Sequence, residues 1–406
     1  MRITKAGAVR KIHLLSLIRA ARGNAIKHFL REYRETREQA VHSGKYGRRL
    51  KGDKRSDIMK QEENMDFLQR VYEKGKKNYG EYAKRLLDME YGYIEKNKEV
   101  FSIAADAAEI SKKCGYQIFT AGAAGSSMTL FFMGVTDINP MPPHYICDKC
   151  GYMEIYEKEE DGFDMPQKKC AVCGSELRAD GHNIPFISFA GLNGEKKPDL
   201  AFLISGHIAD KLTAKLKSRG LRVVCNTKLG DILIYLKNSV LPDVRFLFNK
   251  YSDIIYELEQ KTNIKYDTVP VVASDGKADY LADILGWDMW DGEVYNYTGY
   301  YKINEYCKPK KFSDYAKMNG YINSTDTESI FSGKHFAHRE DIYLYMKQLG
   351  HSDKDAYEIM YSMHGEKILY PKAYNILSMI IGFKLIWYKK NYPYEFDCVM
   401  EKHFIR

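Results

Sequence analysis

Two C-x-x-C pairs constrain this chain more than any other feature. Cys147 and Cys150 form the first, Cys170 and Cys173 the second, and Gly151 and Gly174 follow each pair directly. A C-x-x-C-Gly segment bends into a tight knuckle. Two facing knuckles set four thiolates at the corners of a tetrahedron, a geometry that zinc accepts without electronic penalty. All four positions are then filled by protein, so the site is expected to be structural rather than catalytic. Lys149, Lys168 and Lys169 lie nearby and would soften the charge of four thiolates. Reduced cysteines without metal and an iron–sulfur cluster are the alternatives, and the paired spacing suits zinc better. The other cysteines, Cys114, Cys225, Cys307 and Cys398, are scattered, which fits a reducing cytoplasm better than a disulfide scaffold.

The 406 residues leave room for two or three packed domains. Charge is uneven along them. Sixteen lysines and arginines against four acidic residues give residues 1–55 a charge of +12, whereas the whole chain carries +8. A basic start of this kind is expected to meet a polyanion, or else to be a solvated basic helix. No run approaches the ~18 apolar residues of a membrane span, so no membrane partner is expected. The stretch Ile12–Ile18 is too short and too closely flanked by charge for a secretory signal.

Apolar spacing predicts a basic amphipathic helix over 8–40, a polar linker to 60, and further helices over 63–114. Beyond Ile118, short apolar runs alternate with turns. They predict strands at Thr129–Val135, Ile184–Phe189, Leu200–Ile204, Leu221–Val224 and Val269–Ala273, with helices at Ile208–Arg219 and Leu229–Ser239. The expected fold class is α/β or α+β. The expected division is a basic segment over 1–60, a helical lead-in over 61–114, a mixed sheet domain over 115–290 with the ribbon at 144–182, and a helical region over 291–406.

Around the knuckles the order of residues is specific. Gly125-Ser126-Ser127 precedes Thr136-Asp137-Ile138-Asn139-Pro140-Met141-Pro142-Pro143-His144-Tyr145. Gly162-Phe163-Asp164-Met165-Pro166 separates the knuckles, and Asp180-Gly181-His182-Asn183-Ile184-Pro185-Phe186 and Lys197-Pro198-Asp199 follow them. This order closely resembles the palm of the PolC-type replicative DNA polymerases of bacteria, in which a zinc ribbon interrupts the palm before its catalytic strand. Asp279–Gly286 resembles the segment bearing the family's last catalytic aspartate. Tyr370–Tyr374 and the helix after it resemble the fingers helix. Val71–Gly80 is similar to the stretch leading into the palm. The resemblance covers roughly 66–300 and 335–406, is weaker over 205–275, and leaves no stretch for a proofreading exonuclease or a PHP domain. It implies a palm-like mixed sheet with an inserted zinc ribbon, flanked by a helical N-terminal segment and a fingers-like region.

The resemblance also implies a site. Nucleotidyl transfer uses two divalent ions, magnesium in this chemistry, held by carboxylates on one strand face. The family's P-D-x-D reads here Pro198-Asp199-Leu200-Ala201, so Asp199 matches the first carboxylate and Ala201 stands at the second. Leu203 replaces a polar residue further along that face, and Asp283 matches the third carboxylate. Losing one ligand of three implies a loss on the order of 10³-fold or more in rate. The family's phosphate loop reads here Thr120–Ser127. Gly122, Gly125, Ser126 and Ser127 are retained for backbone N–H contacts to phosphate, while Ala121 stands at the Arg position. Lys372 keeps a phosphate-contacting role in the resemblance, with Tyr374 at the family's His.

Three readings follow for function. The first is a PolC-like core that binds DNA or replication proteins without synthesis. The second is a minimal DNA polymerase using Asp199 and Asp283, which alone would need magnesium. The third is an interaction module without nucleic acid. His335, His338, His351 and His364 lack ligand spacing and read as packed or surface histidines. Trp287, Trp290, Tyr295, Tyr297, Tyr300 and Tyr301 are open to base stacking or to packing.

Overall fold

The computed structural model describes residues 67–156, 160–236, 239, 241–271, 303–323, 336–364 and 369–404. The basic segment expected over 8–40, the segment with Asp283, and the tryptophans and tyrosines of 287–301 lie outside them. Two helices open the described chain. In α1 (Phe67–Lys96) a stripe recurring every fourth residue (Phe67, Val71, Gly75, Tyr79, Ala83, Leu87) is buried, and the helix kinks at Gly80. In α2 (Lys98–Cys114) Val100, Phe101, Ile103, Ala104 and Ala107 are buried. Gly115 ends α2 in the left-handed conformation, with its N–H and that of Tyr116 closing on the last carbonyls.

A five-stranded mixed sheet forms the centre of an α+β fold. Its strands are β1 (Phe119–Ala121), β5 (Leu200–Ile204), β6 (Arg222–Asn226), β7 (Asp231–Tyr235) and β8 (Val244–Phe248), in the order β1-β5-β8-β7-β6. Only β5 and β8 run parallel; the other neighbours are antiparallel. A smaller antiparallel sheet of β2 (His144–Ile146), β3 (Met153–Ile155) and β4 (Arg178–Asp180) forms the ribbon, in the order β3-β2-β4.

β5 is buried throughout, as a central strand covered on both faces must be. Phe202 and Ile204 look to one side. There they pack with Phe246, Ile232 and Ile234, with α2, and with α4 (Ala209–Ser218), which follows α3 (Met128–Met133) in the chain. Leu203 looks to the other side and joins a cluster with α5 (Lys250–Thr262), α6 (Phe312–Ile322) and α9 (Lys372–Asn391). Between α6 and α9 in sequence lie α7 (Arg339–Gln348) and α8 (Asp353–His364), which form a helical pair of their own. Tyr343 donates to Asp353 at 2.7 Å, and Lys347 pairs with the same carboxylate at 2.8 Å. The chain's last described helix is α10 (Pro393–Phe404). No described helix is long and apolar enough to cross a membrane.

Four expected elements differ. Val269–Ala273 is not a strand over its described part: Val269 caps a 3-10 turn at Tyr266–Thr268, and residues 272 and 273 lie outside the described ones. Thr129–Val135 is not a strand, because Ser127 caps a helix there and Gly134 ends it. Ile184–Phe189 enters a single helical turn at Ile187–Ala190. Leu229–Ser239 is not a helix: the Asn226 side chain accepts from the N–H groups of Lys228 and Leu229, turning the chain into a β6–β7 hairpin. In β7, Ile232 and Ile234 then alternate inward, the strand period rather than the helical one.

Phe202 is fully buried and stacked on Phe246 at 5.4 Å. Phe202→Ala is expected to cost about 3–5 kcal/mol in urea unfolding, the usual range for a large core aromatic; a loss under about 1 kcal/mol would contradict this packing.

Candidate functional site

The two knuckles are built alike. The Gly151 N–H donates to the Cys147 carbonyl at 2.8 Å and the Gly174 N–H to the Cys170 carbonyl at 2.9 Å. Both glycines take positive φ (75° and 71°), which a β-carbon would resist. The four sulfurs lie within 4.8 Å of one another, with Cys147–Cys173 at 3.4 Å and Cys150–Cys170 at 3.6 Å. A metal bonded to sulfur at about 2.3 Å has tetrahedron edges of about 3.8 Å, so the cluster is of the size to hold one ion. Lys168, expected to soften the thiolate charge, is engaged elsewhere: it pairs with Glu154 at 2.8 Å and lies over the Tyr145 and Tyr156 rings.

Buried polar bonds hold the ribbon to the rest of the fold. Asp180 accepts from Asn139 at 3.0 Å, from Arg178 at 2.9 Å and from the Gly181 N–H at 2.7 Å. Burial opposes its charge, but the neighbouring imidazoles and the Arg178 guanidinium keep its carboxyl below the usual range. Arg178 also reaches Asp148 inside the first knuckle at 3.0 Å. Fully buried His182 pairs with Asp161 at 2.8 Å.

The strand that the resemblance makes catalytic is β5, and Asp199 stands at its start. Asp199 sits just before β5 with its side chain 79% exposed. Ala201 pairs in register with Ala121 of β1 on one side and with Arg245 of β8 on the other. The same row runs on through Leu233 to Val224. Arg245 donates from Nη2 to Asp199 Oδ1 at 2.7 Å. Among the described residues, the four cysteines alone bring three or more potential ligands together. Among the described residues no set of three ligands includes Asp199, which a guanidinium already holds; those residues alone do not fit magnesium, and Asp283 lies outside them.

The glycine-serine loop runs from β1 through a 3-10 turn at Gly122–Ser126 into α3. A β-carbon on Gly125 would lie 2.9 Å from the Ala373 β-carbon and 2.5 Å from Ile138, so only glycine lets the loop close on α9. Lys372, at the start of α9, is thereby brought to the same place and is 9% exposed. The serines bond within the protein. Ser126 donates to the Ala123 carbonyl at 2.9 Å. Ser127 donates to Glu90 at 2.8 Å, and the Met128 and Thr129 N–H groups donate to the same carboxylate at 2.7 and 3.0 Å. Burial pushes the Glu90 carboxyl above its ordinary range, against the pull of these bonds.

Sequence reasoning missed Glu90 and Arg245. It also gave no role to Asp137, which lies 3.9 Å from Lys384, whose ammonium stands 4.0 Å over the buried Tyr266 ring. His338 is buried and bonds the Ala316 carbonyl at 3.2 Å, as a packed histidine does.

Comparison with known proteins places this geometry. Residues 59–218 match the family described as the bacterial DNA polymerase III alpha NTPase domain. A DNA polymerase III PolC-type from Thermotoga petrophila is 40% identical over 114 residues, 28% of this chain and 8% of its own. One from Streptococcus thermophilus is 43% identical over 98 residues, 24% of this chain and 7% of its own. One from Mycoplasmopsis pulmonis is 27% identical over 322 residues, 73% of this chain and 20% of its own. The chain thus spans a fifth or less of the length of these relatives.

Cys150→Ser is expected to lose the bound metal, read by elemental analysis, while the far-ultraviolet circular dichroism of the main sheet persists. Full metal content in the variant would contradict four-thiolate ligation.

Proposed function

We propose that this relative of the PolC-type DNA polymerases III is a DNA-binding module whose palm has lost nucleotidyl transfer. The observation that carries the reading is the pairing of Ala121 with Ala201 across β1 and β5. The resemblance puts the triphosphate-binding Arg at 121 and the second metal-holding Asp at 201, so the two charged positions face each other. Both side chains are buried, 8% and 6% exposed. A charge at either position would need a partner there, and the two alanines together leave none to satisfy.

Around this neutralised pair the framework persists. Four thiolates form a closed ribbon whose chemistry suits zinc in a structural role. The loop of Gly122, Gly125, Ser126 and Ser127 stays closed on the helix of Lys372, the candidate phosphate contacts. Asp199 and Asp283 remain as retained carboxylate positions without a complete ligand set. The basic stretch 1–55 supplies charge for a DNA backbone, and such a module works in the cytoplasm of a bacterial cell. A replication protein is the second partner, favoured by exposed Val224 and Leu229 on the β6–β7 hairpin.

Fluorescence anisotropy on a labelled primer–template tests the reading. Binding by the full, zinc-loaded chain is expected to weaken at least about tenfold between roughly 50 and 200 mM salt, as counterion release requires. Chelating divalent ions from solution should leave it unchanged. No binding at the lower salt would contradict the proposal.

A further inference from the structure

We propose that Arg245 takes the place of a divalent ion at the start of β5, holding Asp199 and keeping such ions out. The inference rests on the reading of Asp199 as a former metal ligand and says what became of the site. Residues two apart on a strand share a face, and partners in register share it too. Side chains 199, 201 and 245 therefore stand on one side of the sheet. Leu203 and Leu247 identify that side, since both turn into the cluster formed with α5 and α9.

At the start of β5 the charges are inverted relative to a metal site. A metal-holding strand end gathers carboxylates, and here a guanidinium stands against the single one, 2.7 Å from its oxygen. The pair is exposed, and exposed pairs add little to fold stability. Its placement is nevertheless fixed, because the parallel ladder from Leu200–Val244 to Ile204–Phe248 sets Arg245 beside position 201. A fixed positive charge within a few ångströms repels a divalent cation, and its planar fork is well shaped to bind a carboxylate itself. It would equally engage a carboxylate restored at position 201. A second guanidinium, of Arg222, lies 4.7 Å over the Tyr235 ring, on the same face two residues beyond Leu233. Asp231, in register with Leu247, shares this face too, so the inversion of charge is local to the Asp199–Arg245 pair at the start of β5.

Manganese binding to the full, zinc-loaded chain, read from loss of the free Mn²⁺ paramagnetic resonance signal, tests this. The wild type is expected to show no site that depends on Asp199. Ala201→Asp alone should gain little, whereas Ala201→Asp with Arg245→Ala should bind at least about tenfold more tightly. Equal affinity in the single and double variants would overturn the role of Arg245. Position 201 is buried, so Arg245→Glu provides a second arm at an exposed position. It sets a new carboxylate beside Asp199 and should also gain Mn²⁺ affinity at least about tenfold over wild type. No gain in Arg245→Glu would overturn the inference. Wild-type Mn²⁺ binding abolished by Asp199→Ala would instead sink the underlying reading of a lost metal site.

Discussion

The parallel pairing of β5 with β8 decides what the start of the central strand can do. Its register sets Ala201 between Ala121 and Arg245, and so fixes which side chains share the face beside Asp199. Every strand of the larger sheet contributes to that row, which ends at Leu233 and Val224. A slip of one residue would turn each of these side chains to the opposite layer, against α2 and α4. The buried ring pair of Phe202 and Phe246 forbids that slip. Core packing and site chemistry therefore rest on the same ladder. A core that keeps its register keeps the site's geometry even where the residues of the site have changed.

Two further supports hold the parts around this ladder. The ribbon is fastened through the buried Asp180 carboxylate, which gathers Asn139, Arg178 and a backbone N–H. The glycine-serine loop is fastened through Glu90, a buried carboxylate at the start of α3. In that position Glu90 takes up backbone donors that a helix start would otherwise offer to an outside anion. Any phosphate reaching the loop must find its donors among Gly122–Ser126 and at Lys372. Both fastenings are internal to the fold and need no nucleotide.

What could be read in the sequence was local. Cys-x-x-Cys-Gly carries its knuckle within five residues, so the thiolate cluster was plain from spacing. The apolar run after Pro198-Asp199 gave β5, and the resemblance to the family's P-D-x-D set Ala201 at a carboxylate position. What could not be read was set at long range. Arg245 lies 46 residues beyond Asp199, and only the parallel register joins them. Glu90 lies 37 residues before Ser127, on a helix whose buried stripe otherwise looks like ordinary core. Thr129–Val135 and Leu229–Ser239 were misassigned for a related reason. A cap from Ser127 and a turn from Asn226 overrode the apolar spacing of short segments, which serves either period.

Single-nucleotide extension of a primer–template in Mg²⁺ and in Mn²⁺ tests the loss of chemistry most directly, with Asp199→Ala run beside the wild type. Both proteins are expected to leave the primer unextended while still binding it. Extension by the wild type that Asp199→Ala abolishes would contradict the loss, because it would require a working metal site at the start of β5.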